Sequence, residues 1–303
     1  LNLNEGYGIQ LSVNSINLLN KIGFKNISAS DVYYPTKVNF FQANNIKKIC
    51  EIDLKQFNNV HDRYTTLKRS TLIKFLIDNI PEEKIQFKAD IQDIEYNEKI
   101  KISWDNNNES FDYIVIADGI FSKLKSQISN NHLNPIFNGN IALRANLKQY
   151  EKDNISLYMG SNFHYVTYPV NQKLEYNFVA IIKKKLTTKE LEDKNLLNSE
   201  IFIKSLKDLI SKNSIINFEN LVNVKCFPVF VSTELPKLKY QNTFMSGDAL
   251  FAFPPSFAQG ASQSIETAND ILNSILSGSN ETYGKRLNQI TSINNKSIFN
   301  HFS

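Results

Sequence analysis

The chain contains few of the residues that carry out nucleophilic, thiol or metal-assisted catalysis. Its 303 residues include two cysteines, two methionines and one tryptophan. Cys50 and Cys226 lie far apart and outside any C-x-x-C spacing, which predicts two reduced, partly buried thiols rather than a disulfide framework. The four histidines show no metal-ligand spacing: His61, His132, His164 and His301. We therefore expect neither a metal centre nor a Cys/His pair or Ser/His/Asp triad.

Long apolar runs and concentrated positive charge are also absent. No segment approaches the roughly 20 apolar residues of a membrane helix, and the first residues do not form a signal peptide. The net charge of +4 is dispersed, without a basic stripe interleaved with aromatic residues, so nucleic-acid binding is not expected. A hydrophobic content of 42% over this length predicts a globular protein with one large domain or two interleaved domains. With reduced thiols, these features predict a cytoplasmic protein.

Hydrophobic periodicity predicts α/β segments that flank an antiparallel sheet. The run at 112–117 (DYIVIA) is almost continuously apolar, which is typical of a strand buried on both faces of a parallel sheet. Residues 140–180 alternate between apolar and polar, as antiparallel strands do. Further strands are predicted in 31–54, 85–104, 221–231 and 243–246, and helices at 12–19, 66–79, 189–211 and after Gly260.

This order of elements predicts one domain inserted into another. We expect an antiparallel-sheet substrate domain at 139–239, joined by strands from 31–55. The surrounding nucleotide-binding domain would be discontinuous, made of residues 1–138 and 240–303.

The helix predicted after Gly260 is expected to be amphipathic. Its small and apolar side chains fall on one predicted stripe: Ala261, Ile265, Ala268, Leu272 and Ile275. Gly278 is expected to end the helix.

The stretch GDALFAFPPSFAQGA begins where the short strand at 243–246 ends. Ligands of open α/β sheets bind at the carboxyl ends of strands. Gly247 allows close backbone approach there, and Asp248 offers acceptor oxygens for sugar-like hydroxyls.

The second half of that stretch leads into the helix after Gly260. Pro254 and Pro255 stiffen an extended path and remove two hydrogen-bond donors. Gly260 lets a flat ligand approach the helix start, where free N–H groups and the helix dipole favour negative charge. A flavin, which becomes anionic on reduction, would suit this place; a proline-rich turn before a packing helix is the alternative.

Three further segments carry weaker signals. Asp118 and Gly119 end the strand at 112–117, either as a ligand site or as a simple turn. Arg69 lies near a helix start, where it would contact an anion or only solvent. The segment Gly6-Tyr-Gly8 resembles half of a G-x-G-x-x-G fingerprint, but Leu11 occupies the place of the third glycine, so we reject a phosphate loop.

Four segments taken together resemble a known family: GIQL-x-x-N, R-x-x-L, IVIADGIFSKLKS and GDA…P…AQGA…IE, in this order. They resemble the FAD-dependent aromatic-ring hydroxylases, single-component flavoprotein monooxygenases that include para-hydroxybenzoate, salicylate and ubiquinone-pathway hydroxylases. The resemblance implies an α/β fold, with an FAD/NAD(P)-binding Rossmann-like domain that lacks its first βαβ unit and an inserted, mostly antiparallel β-sheet substrate domain. It implies that NAD(P)H reduces FAD and that O2 then yields a flavin C4a-hydroperoxide, which hydroxylates an aromatic or similar small organic substrate. A monomer or homodimer is expected.

The same resemblance implies cofactor-binding residues, but no catalytic side chain and no metal ligand. Those expected to bind FAD or, in part, the nicotinamide cofactor are Gly8, Ile9, Gln10, Arg69, Asp118, Gly119, Gly247, Asp248, Pro254, Pro255, Gln259, Gly260 and Ala261.

The sequence also departs from the family pattern. Phe251 stands where the family has a histidine, and Thr267 follows Glu266 where the family has an aspartate. The G-x-G-x-x-G unit is absent, so we expect an N-terminally truncated chain that also stops short at Ser303. These departures leave a degenerate, non-catalytic flavoprotein-like binding protein as an alternative. A related flavin epoxidase or reductase is another, whereas a halogenase is disfavoured because Trp104 is the only tryptophan and the W-x-W-x-I-P motif is missing.

The substrate is expected between the flavin and the inserted sheet. Candidate wall residues are Arg144, Phe163, His164, Tyr165 and Tyr168, with ordinary sheet packing as the favoured interpretation for any single aromatic among them.

Overall fold

The computed structural model describes residues 7–131, 133–148, 152–214, 216–255 and 258–301. Gly6, His132, Phe302 and Ser303, named above, lie outside these ranges. The chain divides into two compact units. Unit 1 comprises Leu1–Asn79 with Phe137–Val229, and unit 2 comprises Ile80–Ile136 with Phe230–Ser303. The assignment of a cofactor role and a substrate role to particular domains stays a prediction.

Strands and helices occur in both units, as the α/β prediction requires. The strands are β1 (Gly8–Leu11), β2 (Val32–Tyr33), β3 (Lys37–Gln42), β4 (Lys48–Asp53), β5 (Thr65–Lys68), β6 (Ile91–Tyr96), β7 (Ile100–Trp104), β8 (Asn107–Phe111), β9 (Ile114–Ile116), β10 (Ile136–Leu147), β11 (Ile155–Met159), β12 (Phe163–Pro169), β13 (Tyr176–Lys183), β14 (Leu221–Val231) and β15 (Thr243–Met245). The helices are α1 (Val13–Asn20), α2 (Arg69–Asp78), α3 (Lys125–Ile128), α4 (Thr188–Glu192), α5 (Lys194–Leu197), α6 (Glu200–Ser211), α7 (Gly247–Leu250), α8 (Gly260–Ser277) and α9 (Glu281–His301).

The main sheet of unit 1 has the strand order β14-β10-β13-β12-β11-β3-β4 within the described residues. Strands β10 to β13 pair antiparallel, which confirms the sheet predicted at 140–180, while β11 and β3 run parallel. One face of this sheet packs against α6 through Phe202, Leu206 and Ile210. An aromatic stack on that face joins Tyr165 to Tyr158 and Phe178, with ring centroids 4.6 and 5.5 Å away.

Strand β4 forms one edge of the main sheet and is exposed along its whole length. A bulge between Phe40 and Phe41 interrupts its pairing with β3. Lys37 and Lys48 both form ion pairs with Glu51, and their hydrogen bonds lower the pKa of this carboxyl. Cys50 is exposed on this edge whereas Cys226 is buried, so the prediction of partly buried thiols is wrong for Cys50. Edge strands are exposed because only one side has a neighbouring strand.

A small sheet in unit 1, ordered β1-β5-β2, corrects one helix prediction. Residues 66–79 were expected to form one helix, but Thr65–Lys68 is a strand that pairs antiparallel with Gly8–Leu11, and the helix begins at Arg69. Two consecutive β-branched threonines favour the extended conformation, and pairing with β1 outweighs the helical periodicity.

A buried carboxylate fastens α1 to the loop before β5. Asp62 accepts hydrogen bonds of 2.9–3.0 Å from the side-chain amides of Asn59, Asn17 and Asn20. Its side chain is almost fully buried. The hydrogen bonds from Asn59 and Asn17 outweigh burial and lower the pKa of Asp62. The ionised form therefore stabilises the native state.

Replacing Asp62 with asparagine is expected to destabilise the protein at neutral pH and much less in acid. A lowered native pKa gives stabilisation that is complete above the unfolded value of about 3.9 and disappears as the pH falls through the native value. Urea unfolding of both proteins at pH 7 and at several pH values below about 3.9 measures this difference. If the difference in unfolding free energy between Asp62→Asn and wild type stays constant over this pH range, the charge of the carboxylate does not contribute to stability.

In unit 2, β9 and β15 form a parallel pair with register Ile114↔Thr243 to Ile116↔Met245. Ile114 and Ile116 are buried, but Val115 between them is 47% exposed. The prediction of a strand buried on both faces is therefore wrong for β9. The buried side chains of β9 pack with Ile94 and Ile100 of the β6-β7-β8 meander, and the continuous apolar run did not reveal that the other face stays open.

Helix α8 begins and ends as predicted, at Gly260 and before Gly278, but it buries a different face. Its buried residues are Ser262, Gln263, Thr267, Ile271 and Ser274, while Ala268 and Leu272 are exposed. Arg286 of α9 binds Asp270 at 2.6 Å and Glu266 at 2.8 Å. Small and polar residues allow the two helices to approach closely. The ion-paired face of α8 is therefore the one that packs against α9, and the predicted apolar stripe is not.

Tyr283 of α9 completes the hydrogen bonding of β15. Its hydroxyl accepts from Met245 N–H at 3.1 Å and donates to Met245 C=O at 3.0 Å. Burial raises the pKa of Tyr283, so the phenol stays neutral and can make both bonds. This side chain thus satisfies both backbone hydrogen-bonding groups of Met245, at the end of β15.

Candidate functional site

Two predicted motifs lie side by side in unit 2, at the carboxyl ends of β9 and β15. These strands are parallel and in register, and Ser246 N–H donates to Ile116 C=O at 3.0 Å. The Asp118-Gly119 turn follows the first strand, and Gly247 with Asp248 follows the second. Neighbouring carboxyl ends of parallel strands are where α/β sheets bind ligands. The fold thus brings together two motifs that lie far apart in the sequence.

The backbone at both turns requires glycine. Gly119 has φ +90° and Gly247 has φ +62°, values that other residues rarely adopt. No heavy atom lies within 4 Å of the position that a Cβ on Gly119 would occupy. A Cβ on Gly247 would lie 3.3 Å from Ser264 Oγ. Asp118 and Asp248 are both exposed, so both carboxylates can reach a ligand.

A buried lysine, Lys125, interacts electrostatically with Asp118 of the first turn. Lys125 is 6% exposed, and burial lowers the pKa of its ammonium group while the charge of Asp118 opposes that change. Its backbone N–H donates to Ser122 Oγ at 3.2 Å. Lys125 was not singled out in the sequence because a single lysine in a short amphipathic segment carries no pattern.

The start of α8 lacks a side-chain cap from the residue before it. This 18-residue helix begins at Gly260, and Gln259 gives it no side-chain cap. A Cβ on Gly260 would meet no heavy atom within 4 Å. An uncapped helix N-terminus with open space beside it attracts negative charge.

The turn ahead of α8 also forms a shallow depression in unit 2. Gly247 and Gly260 share it with four apolar and three polar side chains, namely Leu250, Phe251, Phe253, Ile290, Gln263, Ser264 and Thr267. Phe251 is 4% exposed and its ring lies 5.0 Å from that of Phe253. Phe251 therefore fills the core where the resembling family has a titratable group. Pro254 is buried, while Pro255, Gln259 and Ala261 are partly buried.

The other predicted cofactor residues lie together in unit 1. Gly8 pairs with Lys68 across β1 and β5, and Arg69 N–H donates to Tyr7 C=O at 2.9 Å. Ile9 and Gln10 follow on β1, both partly buried, and Arg69 is exposed at the start of α2. The GIQL segment and the R-x-x-L segment thus lie next to each other at one end of the small sheet.

Gly8 is a glycine because β1 crosses close over the main sheet. Its N–H donates to Asn177 Oδ1 at 2.7 Å. A Cβ at this position would lie 2.6 Å from Val170 Cγ1, 2.7 Å from Asn177 Cβ and 2.8 Å from Tyr168 Cε2. Such distances force side chains or backbone to move.

Replacing Gly8 with alanine is expected to destabilise the protein by about 1–3 kcal/mol, the usual range for overpacking in a dense core. Chemical denaturation measures this change. The control is Gly139→Ala. Gly139 has φ +79°, and no heavy atom lies within 4 Å of the position that its Cβ would occupy, so this variant adds backbone strain but no steric clash. A Gly8→Ala protein as stable as wild type would mean that β1 can lift from the sheet at little cost.

Two phenols fix the side chain of Gln10. Tyr64 O–H donates to Gln10 Oε1 at 2.8 Å, and Tyr168 also forms a hydrogen bond with Gln10. Burial raises the pKa of both tyrosines, so both remain protonated. Tyr64 donates to the carbonyl oxygen, and the hydrogen bond that lowers the pKa of Tyr168 is one that the Gln10 amide donates, so one amide N–H of Gln10 is left to donate elsewhere.

Strand alternation divides the predicted wall residues between the two faces of the main sheet. Phe163 and Tyr165 face α6 in the core, 4% and 3% exposed. His164 and Tyr168 of the same strand face the opposite side, together with Arg144 by register. The interpretation as core packing is thus right for these two and also for Tyr168, which is 3% exposed in a second cluster with Leu54 and Val170. His164 and Arg144, both partly buried, stay candidates for the wall.

The face opposite α6 carries a row of partly buried residues, one from each of five neighbouring strands. We call this row, Arg144, Val179, Val166, Leu157 and Phe40, the open row. Its apolar members escaped sequence analysis because alternation shows which residues share a face but not which face is open.

The described residues contain no group of three His, Cys, Asp or Glu side chains placed to hold a metal ion. None of the described helices is both long enough and apolar enough to cross a membrane.

Comparison with solved structures shows which fold this arrangement belongs to. The structure matches a variant of HpxO from Klebsiella pneumoniae, complexed with FAD, with a TM-score of 0.77 at 14% sequence identity over 96% of this chain and 79% of that one. It matches 2,6-dihydroxypyridine-3-hydroxylase from Arthrobacter nicotinovorans with a TM-score of 0.78 at 14% identity, over 96% of this chain and 80% of the other. A salicylate hydroxylase substrate complex matches with a TM-score of 0.64 at 15% identity, over 87% and 70% of the two chains.

No protein-family model and no curated protein matches the sequence. The chain therefore has the mixed α/β fold of FAD-binding hydroxylases, as predicted, and this likeness concerns the fold alone.

Proposed function

We propose that the protein is an FAD-dependent monooxygenase that uses NAD(P)H and O2 to hydroxylate an aromatic or similar small organic substrate. The observation that carries this proposal is the pairing of the Asp118 and Asp248 turns at adjacent carboxyl ends of β9 and β15. These turns occur in a chain with the fold of HpxO, a protein crystallised with FAD and with uric acid.

The residues present fit a flavin dinucleotide. Gly119 and Gly260 leave open space where any other residue would place a side chain, so flat or phosphate groups can approach the backbone there. Asp248 offers an exposed carboxylate to ribityl or ribose hydroxyls. The N-terminus of α8, which Gln259 does not cap with its side chain, would direct its dipole and backbone N–H groups at negative charge.

We propose a set of cofactor-binding residues, given for each unit by itself. They are Gly8, Ile9, Gln10 and Arg69 in unit 1, and Asp118, Gly119, Gly247, Asp248, Pro254, Pro255, Gln259, Gly260 and Ala261 in unit 2.

When bound, the flavin supplies the redox chemistry, taking electrons from NAD(P)H and activating oxygen. The chain's own part is to bind, orient and stabilise charge. The dipole of α8 stabilises negative charge placed near Gly260, and the amide of Gln10, held by Tyr64, presents a fixed donor. Phe251 cannot exchange a proton, so protonation at that depression would depend on water or substrate.

The test is whether purified protein binds FAD and oxidises NAD(P)H. We expect a yellow protein whose flavin is released on heating and identified by chromatography. NAD(P)H oxidation, followed by absorbance, should accelerate when phenols or hydroxylated heterocycles are added. A protein that binds no flavin, even with added FAD, would refute the proposal. Flavin binding without any NAD(P)H oxidation would instead support a non-catalytic flavoprotein.

A further inference from the structure

The sequence contains one Asn-Gly pair, Asn138-Gly139, which lies near the start of β10 in unit 1. Asparagine is a chemically labile residue. It is most labile before glycine, because the missing side chain lets the next backbone nitrogen approach the carboxamide. Gly139 has φ +79°, and no heavy atom lies within 4 Å of the position that its Cβ would occupy. Both residues are only partly buried, so water reaches this pair.

The carboxamide of Asn138 is held by the residue two positions further along the chain. Its Oδ1 accepts hydrogen bonds from the backbone N–H of Asn140 at 3.1 Å and from Asn140 Nδ2 at 3.3 Å. Asn140 itself is 9% exposed and pairs with Lys183 of β13, so these donors are fixed in place. Donors on a carbonyl oxygen stabilise the negative charge that develops there when a nucleophile attacks the carbon, as in an oxyanion hole. The local structure thus activates Asn138 Cγ.

We propose that Asn138 is a site of spontaneous deamidation, which the fold promotes through Asn140. The backbone nitrogen of Gly139 gives its proton to a solvent base and forms a bond to Asn138 Cγ. The Cγ–Nδ2 bond then breaks, and the amino group takes up a proton and leaves as ammonia. Water opens the resulting cyclic imide: cleavage at Cγ gives aspartate, and cleavage at the main-chain carbonyl gives isoaspartate. This modification does not depend on the proposed function.

Deamidation would change the start of β10 in two ways. Both products place a carboxylate at this position, and isoaspartate also lengthens the main chain by one carbon. The residues that follow are tied to β13: Lys184 N–H donates to Gly139 C=O at 2.9 Å, and Asn140 is paired with Lys183. A longer backbone displaces these groups and weakens the pairing, because register is specified residue by residue. We therefore expect aged protein to unfold at a lower urea concentration than fresh protein.

Peptide mapping by mass spectrometry follows the reaction in folded protein incubated at neutral and at mildly alkaline pH. We expect Asn138 to be converted about 10-fold or more faster than Asn213, since a following glycine and an activated carbonyl both favour attack. Asn213 is the internal control because it is exposed, lies outside the helices and precedes Ser214. The reaction should accelerate at the higher pH, because the attacking nitrogen must lose its proton. Isoaspartate is distinguished from aspartate by enzymatic methylation.

Variants then assign the rate to the structure. Asn140→Ala removes the side-chain donor and should slow the conversion of Asn138 by about 3–10-fold, less than the roughly 100–1000-fold that one donor contributes in an enzyme's oxyanion hole. Asn146→Ala is the matched control, because Asn146 is a partly buried asparagine of the same strand, and it should leave the rate unchanged. Asn138→Gln should keep its stability during incubation. If Asn140→Ala does not fold, the wild-type ratio between Asn138 and Asn213 still decides.

Two results would overturn the inference. One is that Asn138 in the folded protein is converted no faster than Asn213. The other is that Asn140→Ala leaves the rate unchanged or raises it, because the hydrogen bonds to Oδ1 would then not activate the carbonyl. An equal loss of stability in aged wild type and aged Asn138→Gln would contradict the expected consequence for β10.

Discussion

Asp248→Ala is expected to weaken FAD binding about 10–100-fold, the loss that follows removal of a charged hydrogen-bond acceptor. Asp248 is exposed in the first turn of α7, directly after the left-handed Gly247. Because its side chain is exposed, the substitution should weaken FAD binding more than it lowers the stability of the flavin-free protein. Fluorescence titration with FAD measures the affinity, and thermal melting of the apo form measures the stability.

The control for this prediction is Asp93→Ala, which removes an exposed carboxylate from β6 in the same unit. It should leave both measurements unchanged. If Asp248→Ala lowers the melting temperature of the apo and flavin-bound forms equally, the carboxylate has a structural role and does not contact the cofactor.

Tyr283→Phe is expected to destabilise unit 2 by about 2–4 kcal/mol, because it leaves two buried backbone groups without a partner. The hydroxyl serves both N–H and C=O of Met245, and Tyr283 is 4% exposed. Phenylalanine keeps the edge-to-face contact with Phe244, whose ring centroid lies 5.2 Å away, so the loss reports the hydroxyl alone. Urea denaturation followed by circular dichroism measures it.

Tyr113→Phe provides the comparison, since Tyr113 is 42% exposed just before β9 and its hydroxyl forms no hydrogen bond with the described residues. This variant should be within about 0.5 kcal/mol of wild type. Equal stability of Tyr283→Phe and Tyr113→Phe would mean that water or a shifted backbone satisfies Met245.

The sequence predicted the elements around the candidate site better than their exposed faces. Strand alternation and glycine positions identified β14, β15 and the start of α8, because these signals are local. The burial of α8 was predicted on the wrong face, since Arg286 lies 16 residues beyond Asp270 and their ion pair has no local signature. Which face a helix buries is decided by its partner, and the partner is a matter of tertiary structure.

The residues of the candidate site show the same limit: local motifs could be predicted from the sequence, but contacts between distant segments could not. Asp248 and Gly119 could be named because glycine next to an acidic residue at a strand end has few structural explanations. The roles of Tyr64 and Tyr168 could not, because their link through Gln10 joins residues 54 positions apart, from Gln10 to Tyr64, and more for the second. The open row likewise depends on register among five strands.

The bulge and the ion pairs of β4 have a consequence for behaviour at high concentration. Lys48 and Glu51 place charges along the unpaired margin of the main sheet, and the irregularity beside Phe41 breaks the even spacing of its free amides. A second molecule would have to neutralise those charges and match that irregular spacing to add a strand there. We therefore expect this edge to resist the addition of a strand from another molecule, even though Ile49 and Ile52 are exposed on it.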